Sequence, residues 1–143
     1  GGEAVAMHAA PTTPGDPMTL LTSYETGHSN KGLFADVVEN LPSLDKTTFG
    51  LDGQGKYGLV ADGRVTCYFR LVPEADYREK VWDHAAGTII VEEAGGKVTD
   101  FHGKAFNFAG GRKLNDNRGI VVSNGVIHEA LLEAIARTGW DSM

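Results

Sequence analysis

From Met18 onward the apolar positions switch repeatedly between a two-residue and a helical period. "MTLLTSY" (18–24) is a short β-rich run, whereas "KGLFADVVENL" (31–41) places Leu33, Phe34, Val37, Val38 and Leu41 at helical intervals. "KTTFGLD" (46–52) predicts a second strand and "GQGKYGLVADG" (53–63) a short helix with a glycine stop. "RVTCYFRLV" (64–72) is the clearest strand, rich in β-branched and aromatic residues. "WDHAAGTIIVEEAGG" (82–96) predicts a helix with Asp83 near its N-cap and Gly95-Gly96 at its end. "KVTD" (97–100) and "GIVVSN" (119–124) are strands, and "GVIHEALLEAIARTG" (125–139) is a closing amphipathic helix. Alternating strands and helices imply an α/β fold with a largely parallel or mixed central sheet and helices on both faces, because parallel neighbours need crossover connections.

Residues 1–17, "GGEAVAMHAAPTTPGDP", hold three of the five prolines and no sustained period, so they are expected to be a linker or the remnant of an upstream domain. Residues 18–143 then form one α/β domain, within the size a single core supports. Lys and Arg total 13 against 19 Asp and Glu, a net charge of −6, which supplies no basic face for polymeric nucleic acid. A small anionic ligand therefore needs locally placed cations. Cys67 is the only cysteine, which excludes an intrachain disulfide and leads to the expectation of a cytoplasmic setting. No apolar run approaches the roughly 18 to 20 residues of a membrane span, and residues 1–16 lack the pattern of a signal peptide.

In such sheets ligands bind beyond the carboxyl ends of the strands, where helix N-termini also gather. That rule collects "ETGHSN" (25–30), "DGQGK" (52–56), the end of the 64–72 strand and the approach to "WDHAAG" on one rim. The candidate residues are His28, Ser29, Lys56, Arg70 and Asp83. Each has an ordinary reading as well. Asp83 would be a helix N-cap worth about 1 kcal/mol, His28 and Ser29 turn residues, Lys56 and Arg70 surface cations, Trp82 a core residue and Cys67 a small buried hydrophobe. Glu92 and Glu93 read as a solvated helix face, and His84 as a residue facing solvent with no role. Taken together, cations, a hydroxyl and helix N-termini make a phosphate receptor. A carboxylate among them then calls for a metal between it and the phosphate, and Mg²⁺ suits that place because it binds through one or two carboxylates plus phosphate oxygens.

"WDHAAGTIIVEEAGGKVTD" (82–100) resembles the carboxyl-terminal signature of the inositol monophosphatase superfamily, magnesium-dependent and often lithium-sensitive phosphatases of small phosphorylated molecules. "GHSN" (27–30), "LDGQGKYGL" (51–59), "YFRL" (68–71) and "YREKVWDHAAG" (77–87) resemble its 3′(2′),5′-bisphosphate nucleotidase branch, which removes the 3′-phosphate from 3′-phosphoadenosine 5′-phosphate. The resemblance implies that Asp83 binds the second catalytic magnesium beside the scissile phosphate. It implies that His28, Lys56 and Arg70 contact the nucleotide, with Ser29 a hydrogen-bonding neighbour. At Gly53 the branch commonly has a serine, so one substrate hydrogen bond would pass to the Gly53 backbone N–H. The family's other metal carboxylates lie in an amino-terminal half, so the resemblance implies a carboxyl-terminal domain whose partner is that half. Alone it is expected to be inactive, with a more apolar surface where the two halves meet. Two alternatives stand beside this: a phosphatase of inositol or sugar phosphates, and a non-catalytic module that binds nucleotide phosphates.

Overall fold

The computed structural model describes residues 2–23, 31–72 and 74–142. The elements run β1 (Met18–Thr22), α1 (Lys31–Asn40), β2 (Lys46–Gly50), α2 (Gly55–Ala61), β3 (Cys67–Arg70), a 3₁₀ turn (Val81–Asp83), α3 (Ala85–Glu93), β4 (Lys97–Thr99), β5 (Ile120–Ser123), α4 (His128–Ala136) and a closing 3₁₀ turn (Trp140–Ser142). Every strand and helix expected from the periodicity is present, trimmed at its ends.

Successive strand residues point to opposite faces, so one five-stranded sheet supports two cores. Leu20, Cys67, Phe69 and Val121 face α1 and α4, where they meet Leu33, Val37, Leu131 and Ile135. Leu21, Tyr68, Ile120 and Val122 face the other way, onto Tyr57, Val60 and Val91 of α2 and α3. The result is three layers: α1 with α4, the sheet, and α2 with α3.

The strand order is β2-β1-β3-β5-β4. β1 pairs in parallel with both β2 and β3, while β5 pairs antiparallel with β3 and β4, so the sheet is mixed. The parallel half comes from helical crossovers, as the alternation predicts. The antiparallel half has a different cause, because the chain between β4 and β5 returns through an irregular segment with no helix to carry it across. Asp100, fully buried, organises that segment: its Oδ1 accepts from the backbone N–H of His102 and of Lys104, both at 2.9 Å, and its Oδ2 accepts from Asn117 Nδ2 at 3.0 Å.

Residues 2–17 contain no helix or strand, yet they lie against the domain. The Ala9 N–H donates to the Ala94 carbonyl at 3.0 Å, and Asn124 Nδ2 donates to the carbonyls of Ala10 and Thr12, each at 2.8 Å. Exposed apolar side chains meet where this segment passes α3: Ile89 (59% exposed) and Ile90 of the helix, and Met7 of the segment. Ala6, Met7, Ile89, Ile90, Glu93 and Ala94 line a groove of about 330 Å³ there. No helix among the described residues is long and apolar enough to cross a membrane.

Candidate active site

The three parallel strands β1, β2 and β3 end on the same side of the sheet, and a cavity of about 460 Å³ opens beyond them. Its volume suits a small organic ligand. Ser23 follows β1, Asp52 and Gly53 follow β2, and Arg70 ends β3; Lys56 and Tyr57 enter from α2, and Asp83 and His84 from the approach to α3. Lys56, Arg70, Asp83 and Gly53 are therefore brought together, as the rim rule anticipated. His28 and Ser29 lie outside the described residues.

The turn into α2 favours glycine at position 53. Its φ of +79° is in the left-handed region, although a Cβ there would meet nothing within 4 Å. A serine would find room but strain its backbone by roughly 1 to 2 kcal/mol, which gives a local reason for glycine at this position. Two residues on, α2 begins and turns Lys56 inward until only 5% of it is exposed. Its Nζ donates to the Leu51 carbonyl at 3.1 Å and stands 5.0 Å from the centre of the Tyr68 ring. Lys56 is thus a desolvated cation held over an aromatic face, not the solvated side chain of its ordinary reading.

Asp83 ends the 3₁₀ turn and does not cap α3; His84 occupies the cap position without a side-chain cap bond. The capping is done from α2. Gln54 Oε1 accepts the Gly87 N–H of the first turn of α3 at 3.0 Å, and Gln54 Nε2 donates to the Trp82 carbonyl at 3.3 Å. Gly87 also explains the run of small residues: an added Cβ would lie 2.3 Å from Tyr57 Cγ, so only glycine lets α3 approach α2 this closely. Trp82 is 57% exposed, contrary to the expectation of a core residue, and Lys80 Nζ sits 5.7 Å over its ring.

His84 departs furthest from expectation, being buried and central to a polar chain. Tyr57 Oη is 2.6 Å from His84 Nδ1, and His84 Nε2 is 2.9 Å from Glu79 Oε2. A carboxylate only accepts, so His84 donates through Nε2–H and its Nδ1 accepts the Tyr57 hydroxyl proton. The other Glu79 oxygen lies 3.2 Å from Arg70 Nε, a buried ion pair whose two atoms are not aligned as a hydrogen bond, and Arg70 Nη2 donates to Tyr77 Oη at 3.5 Å. Burial pushes the Tyr57 and Tyr68 phenols up, which keeps both as donors at ordinary pH. For Arg70, burial is the largest single influence and opposes the cation, yet the Glu79 carboxylate together with Tyr68 and Tyr77 outweighs it and the net shift is upward. The guanidinium at the cavity wall therefore stays charged.

Asp83 is an exposed carboxylate on the same wall, and no described residue donates a hydrogen bond to it. A hard carboxylate oxygen beside a cavity lined with cations fits a divalent ion that keeps several waters and shares a phosphate. Among the described residues no group of three or more His, Cys, Asp or Glu stands close enough to hold a metal on its own. A two-metal centre would take further carboxylates from elsewhere.

Glu79, His84, Tyr57, Tyr77 and Gln54 are site residues that sequence reasoning missed. Glu79, His84 and Tyr77 sit inside the quoted motif "YREKVWDHAAG", but no helical or strand period links positions 79 and 84 across the turn.

Over 101 residues the chain is 49% identical to a 3′(2′),5′-bisphosphate nucleotidase of Dictyostelium discoideum, covering 71% of this chain and 30% of that protein. Over 113 residues it is 42% identical to the 3′(2′),5′-bisphosphate nucleotidase of Emericella nidulans, covering 79% and 32%. The chain spans about a third of the length of these curated relatives. Among solved structures, an inositol monophosphatase from Anabaena superposes with a TM-score of 0.65 at 27% identity, covering 92% of this chain and 50% of that one. An IMPase from Thermotoga maritima superposes with a TM-score of 0.68 at 24% identity, covering 93% and 46%, a likeness of fold. The model of the inositol monophosphatase family matches residues 4–140, nearly the whole chain. The chain belongs to the inositol monophosphatase family.

Proposed function

We propose that this chain supplies the nucleotide-binding side and one metal ligand of a phosphatase that removes the 3′-phosphate from 3′-phosphoadenosine 5′-phosphate. The observation that carries this reading is the pairing of two substantially desolvated cations, Lys56 and Arg70, with the Asp83 carboxylate around one cavity. A monophosphate beside a metal needs one such receptor; a second phosphate gives the further cation a task. In this reading His28 and Ser29 add contacts to the nucleotide, and the Gly53 N–H donates where relatives of the branch commonly use serine.

The metal, Mg²⁺ in this reading, would be held by Asp83 together with carboxylates from outside the described residues. When bound, it polarises the scissile phosphoryl group and lowers the pKa of a bound water. The chain's own work is to bind and orient. Lys56 and Arg70 neutralise and position phosphate oxygens through charge-assisted hydrogen bonds, and the Tyr68 and Tyr77 rings wall the cavity. The partner of this surface would be the remainder of the phosphatase, seated on the apolar groove of α3. Preference between adenosine and inositol or sugar phosphates rests on the second-phosphate contacts.

Calorimetry of the chain with adenosine 3′,5′-bisphosphate, paired with a phosphate-release assay, tests the reading. Binding weakened by salt and no steady release at millimolar Mg²⁺ are expected. Lys56→Ala should weaken the bisphosphate by about 1.5 to 3 kcal/mol and leave adenosine monophosphate little changed. Equal losses on both ligands would remove the nucleotide assignment, and steady release by the chain alone would show a complete metal site.

A further inference from the structure

The segment before the 3₁₀ turn is held on both sides. The Leu114 N–H donates to the Glu79 carbonyl at 2.8 Å and the Val81 N–H donates to the Arg112 carbonyl at 3.0 Å, so residues 79–81 run beside 112–114 as a short antiparallel clasp. The clasp fixes the Glu79 backbone, and its side chain, 5% exposed, reaches between His84 and Arg70. His84 is fixed in turn by Tyr57, whose ring is locked under Gly87. A guanidinium on a flexible stem loses rotamer entropy on binding an anion, and that loss is taken before the ligand arrives if the group is already held.

We infer that Glu79 is a positioning residue: its buried ion pair with Arg70 holds the guanidinium so that the cation faces the cavity in one orientation, with Tyr57 and His84 bracing Glu79 from behind. Glu79 touches no ligand in this scheme and acts only through Arg70. Two effects compete when its charge is removed. Neutralising Glu79 strengthens the field of Arg70 on a phosphate, whereas releasing the guanidinium restores its rotamer freedom and lets it leave the cavity wall. The second should win, because Arg70 and Glu79 are both largely buried and the carboxylate is a clamp made at close range.

The inference rests on the proposed nucleotide reading, so its test needs one readout that does not. In the full protein carrying this chain, Glu79→Gln should raise KM for adenosine 3′,5′-bisphosphate about tenfold and leave kcat within about twofold. In an Arg70→Ala background the same substitution should add nothing further. Tyr57→Phe, which keeps the ring against Gly87, should raise KM by two- to threefold. Independently, ¹⁵N relaxation of the chain should give an Arg70 Nε–H signal as rigid as the backbone, and that rigidity should be lost in Glu79→Gln. An unchanged Nε–H signal in a Glu79→Gln protein that melts cooperatively would overturn the positioning role, as would a lowered KM or an additive effect over Arg70→Ala. Should the wild-type protein turn over inositol phosphates and ignore the bisphosphate, the nucleotide reading fails by itself, and the Nε–H signal still decides whether Glu79 holds Arg70.

Discussion

Gly87→Ala sets two known effects against each other at one position. Within a helix, alanine is favoured over glycine by about 1 kcal/mol, so sequence-based expectation alone would call the change stabilising. The structure says otherwise. The added Cβ would lie 2.3, 2.4 and 2.8 Å from Cγ, Cδ2 and Cβ of Tyr57, the root of a buried ring and not the end of a flexible chain. Ordinary carbon contacts of about 3.5 Å require the helices or the ring to move by about 1 Å. Overpacking of this kind costs about 1 to 3 kcal/mol, and a ring that moves also strains the Tyr57–His84 hydrogen bond, worth about 1 kcal/mol. The net expectation is a loss of about 1 to 3 kcal/mol, or a Tm lower by roughly 3 to 10 °C for a chain this long. Urea unfolding of wild type, Gly87→Ala and Gly58→Ala measures it. Gly58 lies in α2, beside Tyr57, but its added Cβ meets nothing within 4 Å, so that variant should gain up to about 1 kcal/mol. A Gly87→Ala protein as stable as wild type would refute the close approach of α2 and α3.

If Asp83 has the proposed metal role, Asp83→Asn should abolish most phosphatase turnover while, because Asp83 makes no cap bond, leaving the melting temperature unchanged within about 2 °C; Gln54→Ala, which removes the acceptor for the Gly87 N–H, should cost about 0.5 to 2 kcal/mol of stability. Burial, aided by Lys97 and opposed by Glu129, lowers the His128 pKa from 6.5 to about 4. The folded state then binds fewer protons than the unfolded one across that window, so stability is complete above pH 6.5 and falls as the pH drops towards 4, by on the order of 2 to 3 kcal/mol. Denaturation midpoints across pH 4 to 7 check this, and a profile as steep in His128→Gln as in wild type would assign the loss to other groups.

Why some of this was legible in the sequence and some not follows from the range of the interactions. Leu33, Val37 and Leu41 face one core because helix geometry puts them on one stripe, and Leu20 and Leu21 face opposite cores because strand geometry forbids anything else. The rim was legible for the same reason: parallel strands end together, so Asp52, Lys56 and Arg70 had to meet. Capping failed as a local rule. Asp83 has the right chemistry at nearly the right place, but Gln54, 33 positions from Gly87, takes the N–H that a cap would take. The polar chain was less legible still. Tyr57 comes from α2, Arg70 from β3, Glu79 from the clasped segment and His84 from the entry to α3, so no window of sequence contains the set. His128 shows the same limit in a purely structural setting. Its Nε2 meets Thr99 Oγ1 at 2.8 Å and its Nδ1 meets Ser123 Oγ at 2.7 Å. Since the Thr99 hydroxyl donates to the Asp100 carbonyl, His128 must donate through Nε2 and accept from Ser123. Two buried histidines, each satisfied at both nitrogens, thus differ in consequence. The His128 chain closes on backbone and hydroxyls, whereas the His84 chain ends on a cation at the wall of the cavity.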